Sequence, residues 1–221
     1  KEIAAVGHRV VHGGEKMSRP VIITREVKKI IKDCYDLAPL HNPPNLKCIN
    51  ACENILPDIP QVAVFDTAFH ASLHKHAFLY GLPYRLYSEN KIRRYGFHGT
   101  SHQYVCQKAA KRMGCSLKSL KIVSCHLGNG SSITAVEGGH SIDTSMGMTP
   151  LEGIVMGTRC GDIDPAIIFY LMKNKKMSSE QIYDLLNKQS GLLGLAGIKS
   201  SDFRDICDAV EKGDLQAKTA I

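Results

Sequence analysis

Seven consecutive residues, His126-Leu127-Gly128-Asn129-Gly130-Ser131-Ser132, set two glycines, an asparagine and two hydroxyls between two apolar stretches. Glycines let backbone amides approach a ligand closely, and amides turned into a loop form a nest for an anion, which suits phosphate. The same residues would also make an ordinary Asn-Gly hairpin. No Gly-Lys-Ser/Thr follows, so this is not a Walker loop. A strand follows rather than a helix, so it is not a dinucleotide fingerprint. Four other places could carry chemistry. Asp66 ends the apolar run Gln61–Phe65 and is followed by Thr67 and His70. Ligands gather at the carboxyl ends of strands in open α/β sheets, which makes Asp66 a candidate base or metal ligand, or else a turn cap. Arg9 stands between His8 and His12, ahead of Gly13-Gly14, as in a binding loop on a sheet edge or an extended strand with a Gly-Gly turn. His98 and His102 lie four apart. On a helix that spacing can hold zinc, but the glutamate of the metalloprotease signature is absent and Gly99 interrupts it. A loop presenting His98 with Arg93 and Arg94 to an anion is the preferred reading. Arg159 sits in a second glycine setting, Thr158 to Pro165.

The elements that must position these residues follow from periodicity and punctuation. Ile3-Ala4-Ala5-Val6 reads as a strand. Thr24 caps a helix with an apolar stripe of Val27, Ile30, Ile31 and Cys34. Leu37 to Leu46 is a proline-stiffened loop, in which His41 is structural or contacts a neighbouring loop. Asn45 opens a second helix, facing Leu46, Ile49, Cys52 and Leu56 inward and ended by Pro57 and Pro60. Gln61–Phe65 is a short buried strand. A hinge is expected between Thr67 and about Tyr87, then a helix from Tyr104 to Arg112. Two strands flank the glycine hairpin, and Glu137-Gly138-Gly139-His140 is a second turn. Asp164 and Pro165 start a helix that runs to about Asn174. Ser178 with Gln181 makes a capping box. Ser190 to Gly197 is expected to be a flexible glycine loop. Ser200 to Arg204 opens a helix ending near Gly213, and a further helix begins in DLQAKTAI.

Composition bounds the classes. The 221 residues are 43% hydrophobic and 22% charged, a globular balance with enough chain for one large or two small domains. No apolar run approaches membrane-span length, and KEIAAVGHRV does not have the pattern of a signal peptide. The net charge of +7 favours anionic partners. The basic residues are scattered, aromatics are 6% and Trp is absent, which argues against nucleic acid. Eight cysteines fall at 34, 48, 52, 106, 115, 125, 160 and 207 without a CxxC pair, so neither a disulfide framework nor a zinc knuckle is indicated and a reducing cytoplasm is the natural setting.

Taken together, GHRVVHGGE, APLHNPPNL, VAVFDTAFH, RRYGFHGTSH, HLGNGSS, DTSMGMTPLEG, MGTRCGDIDP and SGLLGLAG resemble the acetokinase family in that family's order, across nearly the whole chain. The resemblance implies an α/β fold of the actin, sugar-kinase and heat-shock ATPase superfamily, with two ribonuclease-H-like domains around a cleft, both incomplete here. Residues 1–67 would be the remainder of the first domain and 68–221 the first part of the second, nucleotide-binding one. The activity implied is reversible phosphoryl transfer between ATP and acetate, giving acetyl phosphate and ADP, with Mg2+ or Mn2+, in a cytoplasmic homodimer that engages neither nucleic acid nor membrane.

Matched residue by residue, Asp66 takes the place of the family's catalytic carboxylate. Arg9 and Arg159 match the arginines that grip acetate and the transferring phosphoryl, and His98 matches the transition-state histidine. His41 and His126 match histidines near the site. His126, Leu127, Gly128, Asn129 and Gly130 match the ATP-phosphate hairpin, and Asp202-Phe203-Arg204 the adenosine contact. Val11, Leu40, Phe97 and Pro150 match the apolar pocket for the acetate methyl. The family's magnesium ligands have no counterpart in this chain. Three departures look tolerable: Ala71 where glutamine is common, Cys160 where serine is, and Met148 where phenylalanine is. The family's opening phosphate loop and closing glycine-rich nucleotide loop are unmatched, so the chain is expected to be an internal fragment with little or no activity alone. A propionate or butyrate kinase of the same family is the alternative enzyme, with Val11 and Phe97 favouring a small acyl group. A non-catalytic phosphate-binding fragment is the alternative of another class.

Overall fold

Strand β1 (Val6–Val10) pairs in parallel with β3 (Gln61–Phe65), which pairs antiparallel with β2 (Val21–Ile22), giving the sheet order β1-β3-β2. These strands belong to a computed structural model that describes residues 2–221. The expected strand at Ile3 to Val6 is a correction: pairing begins at Val6, because β1 keeps register with β3 from Val6↔Gln61 to Val10↔Phe65. Arg9 therefore lies in a strand and not in a loop.

The chain divides into two compact units. One comprises the residues through Ser124 with Thr134–Thr149, the other Cys125–Ile133 with Pro150–Ile221. In the first, helices α1 (Arg25–Asp33) and α2 (Asn42–Ile55) accompany the sheet, and Val10, Ile23, Val27, Ile31, Ile49, Ala63 and Phe65 form one buried cluster. Thr24 caps α1 as its type predicts, its hydroxyl accepting from the Val27 amide at 3.3 Å. Helix α2 starts three residues before the expected Asn45. Pro43 and Pro44 occupy its first turn, where an amide hydrogen has no intrahelical partner to lose.

Short helices α3 (Lys75–Phe78) and α4 (Tyr84–Asn90) fill the span expected to be a hinge. Helix α5 runs from Gly99 to Met113, five residues longer at its start than the expected Tyr104, because the Gly99 amide is capped by the Asp66 carbonyl. Strands β4 (Lys121–Leu127), β5 (Ser131–Glu137) and β6 (His140–Thr144) form a second sheet in that order. The β5–β6 turn is Gly138-Gly139 with both φ positive, 59° and 88°, the left-handed geometry of a two-residue hairpin. The β4–β5 tip differs from expectation. Gly128, Asn129 and Gly130 are not among the residues at positive φ, so this is not a left-handed Asn-Gly turn. The Ser131 hydroxyl closes it instead, donating to the Gly128 carbonyl at 2.9 Å.

The second unit carries α6 (Ala166–Lys175), α7 (Ser179–Lys188), α8 (Gly191–Ala196), α9 (Phe203–Glu211) and α10 (Leu215–Ala220). The capping box at Ser178 and Gln181 is present. The glycine run 190–197 is helix α8 rather than a flexible loop. The amides of Leu192 and Leu193 donate to the carbonyls of Met156 and Gly157, which fixes its first turn. Ala196, Ile206 and Ala217 are the buried centre of this helical group. No helix among the described residues is long and apolar enough to cross a membrane.

Candidate active-site residues

Arg9, near the end of β1, and Asp66, just past β3, meet because the two strands are parallel and in register; the Asp66 amide donates to the Val10 carbonyl at 3.0 Å. Arg9 Nε donates to Asp66 Oδ1 at 2.9 Å and Nη2 to Oδ2 at 2.6 Å, a two-pronged pair. The two side chains differ in setting: Asp66 is 2% exposed and Arg9 63%. The carboxylate hydrogen bond holds the Arg9 guanidinium above its ordinary pKa. Each Asp66 oxygen accepts one hydrogen bond from Arg9 and so orients it, while Nη1 carries no hydrogen bond among the described residues. The Asp66 backbone has its own task, since its carbonyl accepts from Gly99 at 3.0 Å. A β-carbon on Gly99 would sit 2.2 Å from that oxygen, so only glycine allows this approach.

The segment ahead of α5 is fixed from below. Phe97 is buried, and its carbonyl accepts from His70 Nε2 at 2.9 Å. That bond puts the proton on Nε2 and leaves Nδ1 to accept from the Ser141 hydroxyl at 2.8 Å. His70 is thus a neutral, doubly satisfied buried histidine, and burial lowers its pKa to about 4. His98 follows at the N-cap of α5 with φ 57°. The reading in which Arg93 and Arg94 face an anion beside His98 is corrected. Arg93 is buried, donates to Glu15 at 2.8 Å and lies over the Phe78 ring at 3.6 Å. Arg94 donates to the carbonyls of Thr144 and Ser145 at 2.8 and 3.0 Å. Both arginines are engaged by the fold. His102 is buried and bonds the Ser124 hydroxyl at 2.9 Å.

Val11 is buried and Leu40 is 52% exposed; His41 is the N-cap residue of α2. Sequence reasoning missed what holds Val11 and His12. The Asn45 side chain accepts from the Val11 amide at 3.2 Å, and Asn42 accepts from the His12 amide at 3.0 Å while donating to the His12 carbonyl at 2.9 Å. The signal was present in the two asparagines that flank Pro43-Pro44. His12 was also missed. It is fully buried, its Nδ1 accepts from the Gly14 amide at 3.0 Å, and it packs edge-on against Tyr95. Burial lowers its pKa to about 4, helped by the charge of Arg93.

In the second unit, Arg159 Nη1 donates to the Pro150 carbonyl at 2.6 Å, and burial lowers its pKa. A cleft of about 700 Å³ is lined by Leu127, Gly128, Asn129 and Ser131 from the hairpin, Ile154, Val155 and Gly157 from the following loop, and Leu192, Ser201, Asp202 and Phe203. That volume is in the range of small-molecule sites. The cleft brings Leu127, Gly128 and Asn129 together with Asp202 and Phe203, whereas His126, Gly130 and Arg204 are not among its lining residues. Asp202 caps α9 by accepting from the Arg204 amide at 2.9 Å, and the Arg204 guanidinium holds the Asp202 carboxyl down to about 2. The Gly157 amide donates to the Asn129 carbonyl at 3.0 Å, which anchors the hairpin tip.

The acetokinase family description matches residues 1–221. This chain belongs to the acetokinase family. It is 60% identical over 220 residues to the acetate kinase of Alkaliphilus metalliredigens and 59% identical over 221 residues to that of Clostridioides difficile, covering all of itself and 55% of each of them. Its fold superposes on the crystal structure of Porphyromonas gingivalis acetate kinase with a TM-score of 0.94 at 49% identity, over 99% of this chain and 55% of that one. A propionate kinase from Francisella tularensis matches with a TM-score of 0.94 at 50% identity, over 98% of this chain and 56% of the other. This acetokinase-family chain thus spans about 55% of the length of the curated relatives it matches, with the mixed α/β fold of acetate kinase structures.

Proposed function

We propose that this chain is part of an enzyme that transfers a phosphoryl group reversibly between ATP and acetate, giving ADP and acetyl phosphate. The Arg9–Asp66 fork, in a chain of this family, carries the reading. Acetate is ionised at neutral pH and is its own nucleophile, so the demand falls on alignment and charge neutralisation rather than on a base. A guanidinium fixed along its Nε–Nη2 edge leaves the Nη1–Nη2 end as a second pair of N–H donors, and that planar fork suits carboxylate and phosphoryl oxygens. Asp66 serves as the residue that orients Arg9. Turnover near normal in Asp66→Asn of the protein extended to its relatives' length would argue against that role.

His98 is assigned to the transition state and Arg159 to the transferring phosphoryl. Val11, Leu40, Phe97 and Pro150 are assigned to the acetate methyl, and His41 to the surroundings of the site. His126 to Gly130 are assigned to the ATP phosphates and Asp202-Phe203-Arg204 to adenosine, a reading supported by the cleft that five of these residues line. The family division at 67/68, a cytoplasmic setting and a homodimer belong to the same proposal. Mg2+ belongs to the same proposal and would enter with the ATP phosphates, which supply oxygen ligands of the kind it takes. Among the described residues the one group of three potential ligands is His8, Cys48 and Cys52, a nitrogen and sulfur set, whereas Mg2+ takes oxygen.

The test is acetyl phosphate formation from acetate, ATP and Mg2+, trapped as the hydroxamate. Propionate and butyrate run in parallel, with this chain and with the chain extended at both ends to its relatives' length. Fastest turnover with acetate in the extended protein is expected. Preference for propionate would transfer the reading to the kinase of the Francisella neighbour's type. No product from either protein would leave a nucleotide-binding chain without turnover.

A further inference from the structure

One side-chain cluster plays no part in that chemistry. His8 precedes Arg9 on β1, but successive strand residues point to opposite faces, and His8 is buried where Arg9 is exposed. On its face it meets α2, where Cys48 and Cys52 lie four residues apart and so share one side of the helix. A ring nitrogen of His8 and both sulfurs lie within 4.8 Å of one another. All eight cysteines are free thiols.

We propose that His8, Cys48 and Cys52 form a binding site for a thiophilic metal cation, Zn2+ in the first instance, which ties α2 to β1. Tetrahedral zinc with bonds of about 2.0–2.3 Å needs ligand atoms roughly 3.5–3.8 Å apart, so closure from 4.8 Å takes about 1 Å of side-chain movement. Two sulfurs and an imidazole are the donor set that selects zinc over magnesium or calcium. A second observation supports the site. The Gln61 amide donates through Nε2 to the Ile59 carbonyl at 3.2 Å, which turns its Oε1 toward His8 Nε2 at 2.7 Å. His8 Nε2 must then carry the proton, and Nδ1 keeps the lone pair that a metal requires. A backing acceptor of this kind accompanies most metal-bound histidines and sets their tautomer. Cys48 is exposed, which gives the ion a way in. On binding, the two thiols release their protons to solvent, and a water completes the coordination. This site is independent of the kinase reading.

The experiment is titration of the reduced, metal-free chain with Cd2+, followed through the ultraviolet thiolate-to-metal charge-transfer band, and then competition with Zn2+. One Cd2+ per chain is expected, displaced by Zn2+. Cys48→Ser and Cys52→Ser should each weaken binding by at least about tenfold, and Cys115→Ser, at an exposed thiol elsewhere, should not. Zn2+ should also raise the melting temperature of the parent chain and leave that of the Cys48→Ser/Cys52→Ser double variant unchanged. Absence of the band, or a band of equal affinity in the double variant, would overturn the site.

Discussion

Removing either member of the Arg9–Asp66 pair should be unequal in cost, and the inequality follows from exposure. Asp66 is 2% exposed and Arg9 63%. In Arg9→Ala the carboxylate stays buried with both of its side-chain hydrogen bonds gone. In Asp66→Asn the guanidinium simply turns to water, and the buried group left behind is neutral. Charged hydrogen bonds contribute about 1.5–3 kcal/mol each, but an exposed partner is screened, which brings the pair down to about 1–3 kcal/mol in total. Arg9→Ala is therefore expected to lower unfolding free energy by about 1–3 kcal/mol and Asp66→Asn by less. The double variant should cost less than the sum, by a coupling of about 1 kcal/mol or more. Urea denaturation of the four proteins in the double-mutant cycle measures this. Additive single-variant costs, or a larger cost for Asp66→Asn than for Arg9→Ala, would refute the idea that a buried carboxylate is held by an exposed arginine.

His12 and His70 both have pKa values lowered from 6.5 to about 4 by burial, so between those values the unfolded chain binds more protons than the folded one. Stability should therefore rise with pH through that window and fall on acidification, by about 3 kcal/mol per histidine by pH 4, and a flat denaturation profile over that range would count against neutral buried imidazoles. Gly99→Ala would place a β-carbon 2.2 Å from the Asp66 carbonyl and 2.9 Å from the Phe69 β-carbon. It should destabilise by about 2–4 kcal/mol from overpacking and a lost cap, and a melting temperature equal to the parent's would show that the segment can shift freely. Gly157→Ala would set a β-carbon 2.3 Å from Asn129 Oδ1 and 3.3 Å from the Asn129 Cα, displacing the Asn129 side chain that lines the cleft. Titration with a fluorescent ADP analogue should then show affinity reduced about tenfold or more, and unchanged affinity would separate the cleft from nucleotide binding.

What could be read in the chain was local or compositional. Thr24 and the Ser178–Gln181 box announce helix starts because capping needs a particular side chain within three residues of the amide it serves. The β-hairpin around residues 128–130 followed from glycines between apolar runs, and the eight motifs in order pointed to the acetokinase family that matches residues 1–221. Propensity failed where a distant partner overrode it. The 190–197 glycine run is helical because carbonyls of Met156 and Gly157 receive its first amides, and Gly99 starts α5 because Asp66, 33 positions earlier, caps it. The electrostatics were decided the same way. Arg93 and Arg94 had the residue type for an anion site, but Glu15 and the carbonyls at 144–145 claim them. By type, Asp66 could have been a base, a metal ligand or a cap. The parallel register of β1 and β3 sets it against Arg9, and that is information no window of adjacent residues contains. The sequence by itself determined the family, the hydrophobic pattern and the caps, because these depend on neighbours along the chain. Only the tertiary structure decided which charges are paired, which histidines are buried and neutral, and that His8 meets Cys48 and Cys52, because those depend on partners brought together by folding.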